Sequence, residues 1–396
     1  MRLGLVIPNS PSYSETFFRS KVEGLQNNGY DITLLVGHQK EPAQDPPCRV
    51  CPAYRIHSKI LVLQSLRTFF VLVKLLLSSP AVVRRFWSLE KLDDSPPMKI
   101  FKRLHINAHI LDKKFEWLHF GFATMMLERE NVARAIGAKM AVSFRGYDVC
   151  IYPVKNGFDC YLSAWSKVDK VHFISDSLIE VAQTKLSLPE SVPKQKIRPA
   201  INVERFRRDT RDWGIHSPVR LLTVGRLHGI KGLDYSIESC ARLKASGLDF
   251  QYTIVGSGEA YEQLRFMVNL LNLEDCVFLV GKKSPDEVSE VMEESNIYIQ
   301  PSVSEGFCNA VLEAQAAGLL CIVSDAGGLP ENVNFGKTGW VVPKRDSEAL
   351  KDKLLEVVDL GSEVRERLRI NAVERVTREF NIKNHINEWI NFYIKF

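Results

Sequence analysis

Six strand-like runs recur in the second half of the chain, at 220–224, 250–255, 277–280, 297–300, 320–324 and 340–342, with helical patterns in the gaps. Strands that alternate with helices imply a parallel sheet joined by crossovers. A less regular series precedes it. Residues 3–7 read as a first strand, followed by a loop at 9–15 and a helix over about 16–27 that Gly29 ends. Residues 32–36, 117–119, 140–144 and 170–174 read as further strands, with helices expected after the second of these to about 136, after Gly157 and after Ser175. A chain of 396 residues exceeds one typical core. The expectation is two Rossmann-like, doubly wound parallel-sheet domains facing a cleft, over 1–204 and 205–375. The last segment, 376–396, is helical and rich in aromatics (Phe380, Trp389, Phe392, Tyr393), so it is expected to pack back on the first domain.

Composition narrows the class. Hydrophobic residues make up 45% and charged residues 25%, values of a folded globular protein rather than a disordered or collagen-like one. Of eight cysteines only Cys48 and Cys51 are close in sequence, and no histidine couplet completes a zinc set. With no disulfide framework, and with residues 2–7 reading as a strand instead of a leader, a reducing cytoplasmic compartment is expected. Net charge is +5, yet residues 55–114 hold twelve Lys or Arg against four acids. The apolar runs in that segment, 60–63 and 69–77, are interrupted by Arg67 and Lys74 and stopped by Pro80, which makes a poor membrane span. They suit a helix lying on an anionic membrane surface, the alternative being a core helix with its cations in water. Nucleic acid is not an expected partner, because the aromatics do not alternate with polar groups as in a stacking platform.

The run from Ser304 to Ala314 carries the most chemistry. Glu305 lies in a one-glycine loop after a strand, and Glu313 follows eight residues later in the helix that the loop opens. A helix N-terminus offers free N–H groups and positive potential, which suits phosphate. Glu313, about one turn or roughly 6 Å further on, is placed to grip a ribose diol. Glu305 would face the side where a transferred group lies; two surface carboxylates would be the plain alternative. Three more glycine-rich turns follow strands: Gly225-Arg226-Leu227 with Lys231-Gly232, Gly256-Ser257-Gly258, and Gly327-Gly328-Leu329-Pro330-Glu331. Arg226 and Lys231 are cations where a diphosphate leaving group needs compensation. Neither a full dinucleotide fingerprint nor a P-loop occurs.

Taken together, these turns resemble those of the retaining nucleotide-sugar glycosyltransferases of family 4, the two-Rossmann-domain GT-B type, over nearly all of 200–345. The opening Pro11-Ser12-Tyr13-Ser14-Glu15-Thr16-Phe17 is similar to that of members building bacterial exopolysaccharide of the colanic acid type, or O-antigen units, on a lipid carrier. The resemblance implies transfer from a nucleoside diphosphate sugar to a glycan or polyprenyl-linked acceptor at the inner face of the cytoplasmic membrane. It implies that Arg226 and Lys231 hold the leaving diphosphate, Glu305 the sugar and Glu313 the ribose. Gly225, Gly256, Gly258, Gly306, Phe307 and Cys308 would line the donor pocket. Glu15, Thr16, His119, Arg145 and Asp148 would stand on the acceptor or sugar side. Neither a cofactor nor a divalent metal is implied, since the two cations can serve instead. Many relatives have His where this chain has Arg145, which fits an acidic donor or acceptor, a subfamily variation or impaired catalysis. His119 reads equally as a cleft residue or a satisfied buried histidine. Cys308 reads as pocket lining rather than as a reactive thiol. The rival functions are a sugar-nucleotide epimerase or phosphorylase on the same fold, and a non-catalytic nucleotide-sugar-binding subunit.

Overall fold

The computed structural model describes residues 1–9, 16–37, 46–54, 61–207 and 214–394. They divide into two compact units, Met1–Ile197 with Ile386–Phe396, and Arg198–His385.

The first unit is built on seven strands: β1 (Arg2–Ile7), β2 (Asp31–Val36), β3 (Arg49–Pro52), β4 (Trp117–Phe120), β5 (Lys139–Phe144), β6 (Lys170–Phe173) and β7 (Lys194–Lys196). Their order is β3-β2-β1-β4-β5-β6-β7, and every pairing is parallel. The chain therefore starts at the centre and winds outward in both directions, which leaves a switch point between β1 and β4. The core joins Leu3, Leu5, Ile7, Ile32 and Leu34 of the sheet to Phe18, Val22 and Leu25 of the helix Thr16–Gln26. Trp389, Phe392 and Tyr393 belong to the same core, so the aromatic stripe of the last helix, Ile382–Ile394, is buried here.

Two expectations for this unit need correction. No continuous helix follows β4; a 3-10 turn, Ala123–Met126, precedes a short helix, Val132–Ile136. The intervening Glu130 and Asn131 turn inward instead: Arg103 Nη1 donates to Glu90 Oε2 at 2.7 Å, with Glu130 at 3.5 Å, and Asn131 Nδ2 donates to Glu90 and Asp93 at 2.9 and 2.6 Å. After Gly157 the chain forms only the 3-10 segment Leu162–Lys167. The Glu90–Arg103 network ties two helices of the basic segment, Pro80–Leu92 and Pro97–Leu111, to the sheet's cover. The third helix of that segment, Leu61–Ser78, differs: among its described side chains the apolar Leu66, Phe69, Phe70, Leu76 and Leu77 are exposed, as are Arg67 and Lys74.

The second unit repeats the same winding on six strands: β8 (Val219–Val224), β9 (Phe250–Val255), β10 (Val277–Leu279), β11 (Ile297–Gln300), β12 (Leu320–Ser324) and β13 (Trp340–Val342). The order is β10-β9-β8-β11-β12-β13, all parallel, with the switch point between β8 and β11. The helical tail breaks once, at Phe380–Asn381, between Ser362–Glu379 and Ile382–Ile394. Asn381 caps the second helix, its Oδ1 accepting from Asn384 N at 2.9 Å.

Candidate functional site

Four glycine-bearing turns leave the carboxyl ends of the second unit's strands, and backbone hydrogen bonds join them into one ledge. Gly225 N donates to Val255 O and Leu227 N to Ser257 O, linking the turns after β8 and β9 at 2.9 and 3.0 Å. Val303 N donates to Ile230 O at 2.8 Å, linking the turn after β8 to that after β11. Gly328 N donates to Glu305 O at 2.9 Å, adding the turn after β12. The glycines serve this joining. A Cβ on Gly256 (φ +151) would lie 1.8 Å from Gly225 O, and one on Gly327 (φ +54) 2.4 Å from Glu305 O. Gly258 is likewise closed against Leu227 O, at 2.2 Å. At Gly256 and Gly258 the space a side chain would need is thus taken by the backbone of the turn after β8.

On this ledge Lys231 Nζ and Glu305 Oε2 form an ion pair, with side chains only 13% and 16% exposed. Burial alone would lower the Lys231 pKa; the Glu305 carboxylate more than offsets it and the net shift is upward, with Arg226 opposing. Lys231 is therefore a firmly held cation beside a second one, for Arg226 is exposed at the same turn. The helix Asn309–Ala316 starts next to the pair, and no side chain caps its first turn. Its entry is fixed by Asn332, which grips the Cys308 peptide at both ends: Cys308 N donates to Asn332 Oδ1 at 3.1 Å, and Asn332 Nδ2 to Cys308 O at 2.8 Å. Arg375 Nη1 and Gln315 Nε2 both donate to Asn332 O, at 2.6 and 2.8 Å. Sequence reasoning missed all three clamps, and the Asn that directly follows the Gly-Gly-Leu-Pro-Glu turn was the available signal.

Gly306, Phe307 and Cys308 are buried, with the Phe307 ring 5.9 Å from that of Phe380. Burial pushes the Cys308 thiol up to about 11, so it is protonated near neutral pH and is not poised as a nucleophile. Glu313, half-buried one turn into the helix, has its carboxyl pushed up to about 7 by burial, against the opposing charge of Arg205.

In the first unit the expected residues separate. Glu15 lies outside the described residues, and Thr16 opens the helix Thr16–Gln26. His119 is fully buried and both ring nitrogens are occupied. His172 Nε2 donates to Ile197 O at 2.9 Å, so its Nδ1 accepts from Ser143 at 2.8 Å. Ser143 Oγ in turn accepts from His119 Nε2 at 2.8 Å, which leaves His119 Nδ1 to accept from Tyr393 Oη at 2.5 Å and to face Lys21 Nζ at 3.4 Å. Burial, with Lys21 next in weight, holds His119 well below the usual histidine value. Asp148 is also fully enclosed: its carboxylate accepts from Thr124 N and Arg145 N, both at 3.1 Å, and burial raises it to about 6. His119 and Asp148 therefore stand inside the core and not on a ligand-facing surface. Arg145 remains at the switch point, donating from Nε to Gly121 O at 3.3 Å, its guanidinium 5.2 Å from the Phe18 ring and 5.6 Å from that of Phe122.

Residues 206–375 match the family model of the group 1 glycosyl transferases. The chain is 31% identical over 273 residues to the amylovoran biosynthesis glycosyltransferase of Erwinia amylovora, an alignment spanning 67% of this chain and 66% of that one. It is 28% identical over 210 residues, 52% of this chain and 53% of the other, to the Escherichia coli UDP-Gal:alpha-D-GlcNAc-diphosphoundecaprenol alpha-1,3-galactosyltransferase. Among solved structures, Anabaena HepE in complex with UDP-glucose superposes over the whole of both chains with a TM-score of 0.71 at 13% identity, a likeness of fold. With its two doubly wound sheets and the matched turns of the second, the chain has the GT-B fold and carries, over residues 206–375, a group 1 glycosyl transferase domain.

Proposed function

We propose that this chain is a retaining, metal-independent glycosyltransferase of surface polysaccharide synthesis, moving a sugar from a nucleoside diphosphate donor to a glycan or polyprenyl-linked acceptor. The observation that carries this reading is the Lys231–Glu305 pair, set beside Arg226 and the uncapped helix start, with Glu313 one turn further on. Arg226 and Lys231 neutralise the diphosphate as it departs, the role otherwise filled by a divalent cation. Glu305 orients the sugar, and Glu313 accepts from the ribose hydroxyls. The leaving phosphate takes the acceptor's proton on the face it vacates, so configuration is retained without a protein nucleophile. Arg145 is assigned to the sugar or acceptor side. The relatives named for amylovoran biosynthesis and for a diphosphoundecaprenol substrate support the polysaccharide and lipid-linked parts of the reading.

A lipid-linked acceptor places the protein at a membrane, and the helix Leu61–Ser78 fits that surface. No single helix among the described residues is long and apolar enough to cross a bilayer; Gln64–Ser78 and Pro80–Leu92 meet at 112°. Phe70 and Leu77, 67% and 81% exposed, share the outer face with Arg67 and Lys74, and Arg84 and Arg85 lie exposed just past the bend. Each cation near an anionic surface contributes about 1 kcal/mol. We assign the inner face of the cytoplasmic membrane as this surface. The test is transfer on anionic vesicles carrying a polyprenyl-diphosphate glycan, in EDTA, with the product anomer read by NMR. Retained configuration with co-flotation of the protein is expected. An inverted product, or transfer only after metal addition, would refute the mechanism.

Donor binding should be linked to a proton. Glu313 holds its proton up to about pH 7, and only the ionised carboxylate accepts both diol hydrogens. Affinity for a nucleoside diphosphate sugar, whose diphosphate does not titrate near neutrality, should therefore rise with pH. The expected slope is about tenfold per pH unit below 7, flattening above it. Calorimetry in buffers of different ionisation enthalpy should show one proton released below pH 7. Glu313→Gln should abolish the slope; a wild-type affinity independent of pH would remove Glu313 from the ribose.

A further inference from the structure

Tyr298, Gln300 and Ser302 lie two residues apart along β11 and its continuation, so their side chains fall on one side of the extended chain. All three are fully buried. The middle of a parallel sheet ordinarily takes apolar side chains, and polar ones there persist only when hydrogen-bonded. These three form a chain that ends on Glu305. Tyr298 Oη donates to Gln300 Oε1 at 2.9 Å, and Gln300 Nε2 donates to Ser302 Oγ at 2.8 Å. Ser302 Oγ donates to Glu305 Oε2 at 3.4 Å, and the Cys308 thiol also donates to Gln300 Oε1, at 3.4 Å. The direction follows from the amide, which has one accepting end and one donating end. With Tyr298 and Cys308 on its oxygen, Gln300 presents N–H to Ser302 and turns the hydroxyl hydrogen towards Glu305. Ser302 is itself anchored, its carbonyl accepting from Ser324 Oγ at 2.5 Å.

We infer that Ser302, oriented by Gln300, is a positioning residue that keeps the Glu305 carboxylate aimed when Lys231 turns its charge to the donor diphosphate. Glu305 Oε2 has two tethers, Lys231 and Ser302. The first is shared with the donor once it binds, and the second is not. This inference rests on the proposed action of Glu305 on the donor sugar.

The test measures donor dissociation constant and kcat for wild type, Ser302→Ala, Ser302→Thr, Glu305→Gln and the Ser302→Ala/Glu305→Gln double variant. Ser302→Ala should lower kcat about tenfold while donor affinity stays within about threefold, and Ser302→Thr should restore most of the loss. The double variant should be no slower than Glu305→Gln alone, because both changes act on one carboxylate. Gln300→Glu, which presents an acceptor to Ser302 and draws the hydrogen away from Glu305, should reproduce the Ser302→Ala kinetics. It also serves as the second probe if Ser302→Ala folds poorly. Wild-type kcat in Ser302→Ala, or losses that multiply in the double variant, would overturn the inference. Wild-type transfer by Glu305→Gln would instead overturn the function on which it rests.

Discussion

Lys231→Ala should lower kcat/KM for transfer from a nucleoside diphosphate sugar by about 10²- to 10³-fold, the usual cost of removing one preorganised donor from a developing anion. Two effects act in the same direction. The departing diphosphate loses the cation held at the end of the turn after β8, and Arg226, exposed at that turn, cannot supply the same enclosed charge. The Glu305 carboxylate, 16% exposed, is at the same time left without its ion-pair partner and faces an incoming dianion. The second effect predicts its own reversal: Lys231→Ala/Glu305→Gln should bind donor more tightly than Lys231→Ala alone, even though turnover stays low. Steady-state kinetics with calorimetric donor binding checks both statements. Turnover of Lys231→Ala within tenfold of wild type would remove Lys231 from the leaving-group site.

Why this site could be anticipated, and how far, follows from its physics. Strands of a covered parallel sheet are rich in apolar and β-branched residues. All six strands of the second unit were therefore legible, to within a residue at β8 and β10, even though Gln251 and Thr253 interrupt the apolar run of β9. The turns were legible because glycines and cations cluster directly after those runs. What the glycines contact was not legible, since a Cβ on Gly256 meets the carbonyl of Gly225 in another turn. His119 shows the same limit. Its Nδ1 partner is Tyr393, 274 positions away, and no local pattern distinguishes such a pairing from a cleft histidine. Asp148 was misread for a nearer reason, because a carboxylate three residues past Arg145 can cap that loop's own amides. The clamps Asn332, Gln315 and Arg375 came into view only with the fold, because the helix tail must return across β12 before Arg375 meets Asn332. The polar residues at alternate positions of β11 were in plain sight. A Gln in the strand next to the switch point contradicts the apolar rule for a doubly covered sheet, and that contradiction marks the path to Glu305.

Trp389→Ala should destabilise the first unit by about 3–5 kcal/mol, the range for deleting a large buried aromatic side chain. Trp389 is 2% exposed on the helix Ile382–Ile394, yet its neighbours belong to the sheet. Its ring lies 4.5 Å from that of His172 and 5.4 Å from that of His119. Lys21 Nζ sits 3.2 Å from the ring centroid, a cation–π contact for an ammonium that is itself 3% exposed. Burial, and after it the charge of Arg145, holds Lys21 well below the usual lysine value, so removal of the ring takes away one of the groups that favours its charged form. The helix is fastened besides by Trp117 Nε1 and Lys170 Nζ, which donate to Tyr393 O and Phe392 O at 3.2 and 2.9 Å. These bonds are to backbone and survive the substitution, so the helix should stay docked around a cavity rather than leave. Chemical denaturation should then show a lowered midpoint with an unchanged slope, because the surface exposed on unfolding is nearly the same. Trp389→Phe keeps a ring beneath Lys21 and should lose less than half as much. A loss below about 1 kcal/mol for Trp389→Ala would mean that the C-terminal helix is an ornament on the first unit and not part of its core.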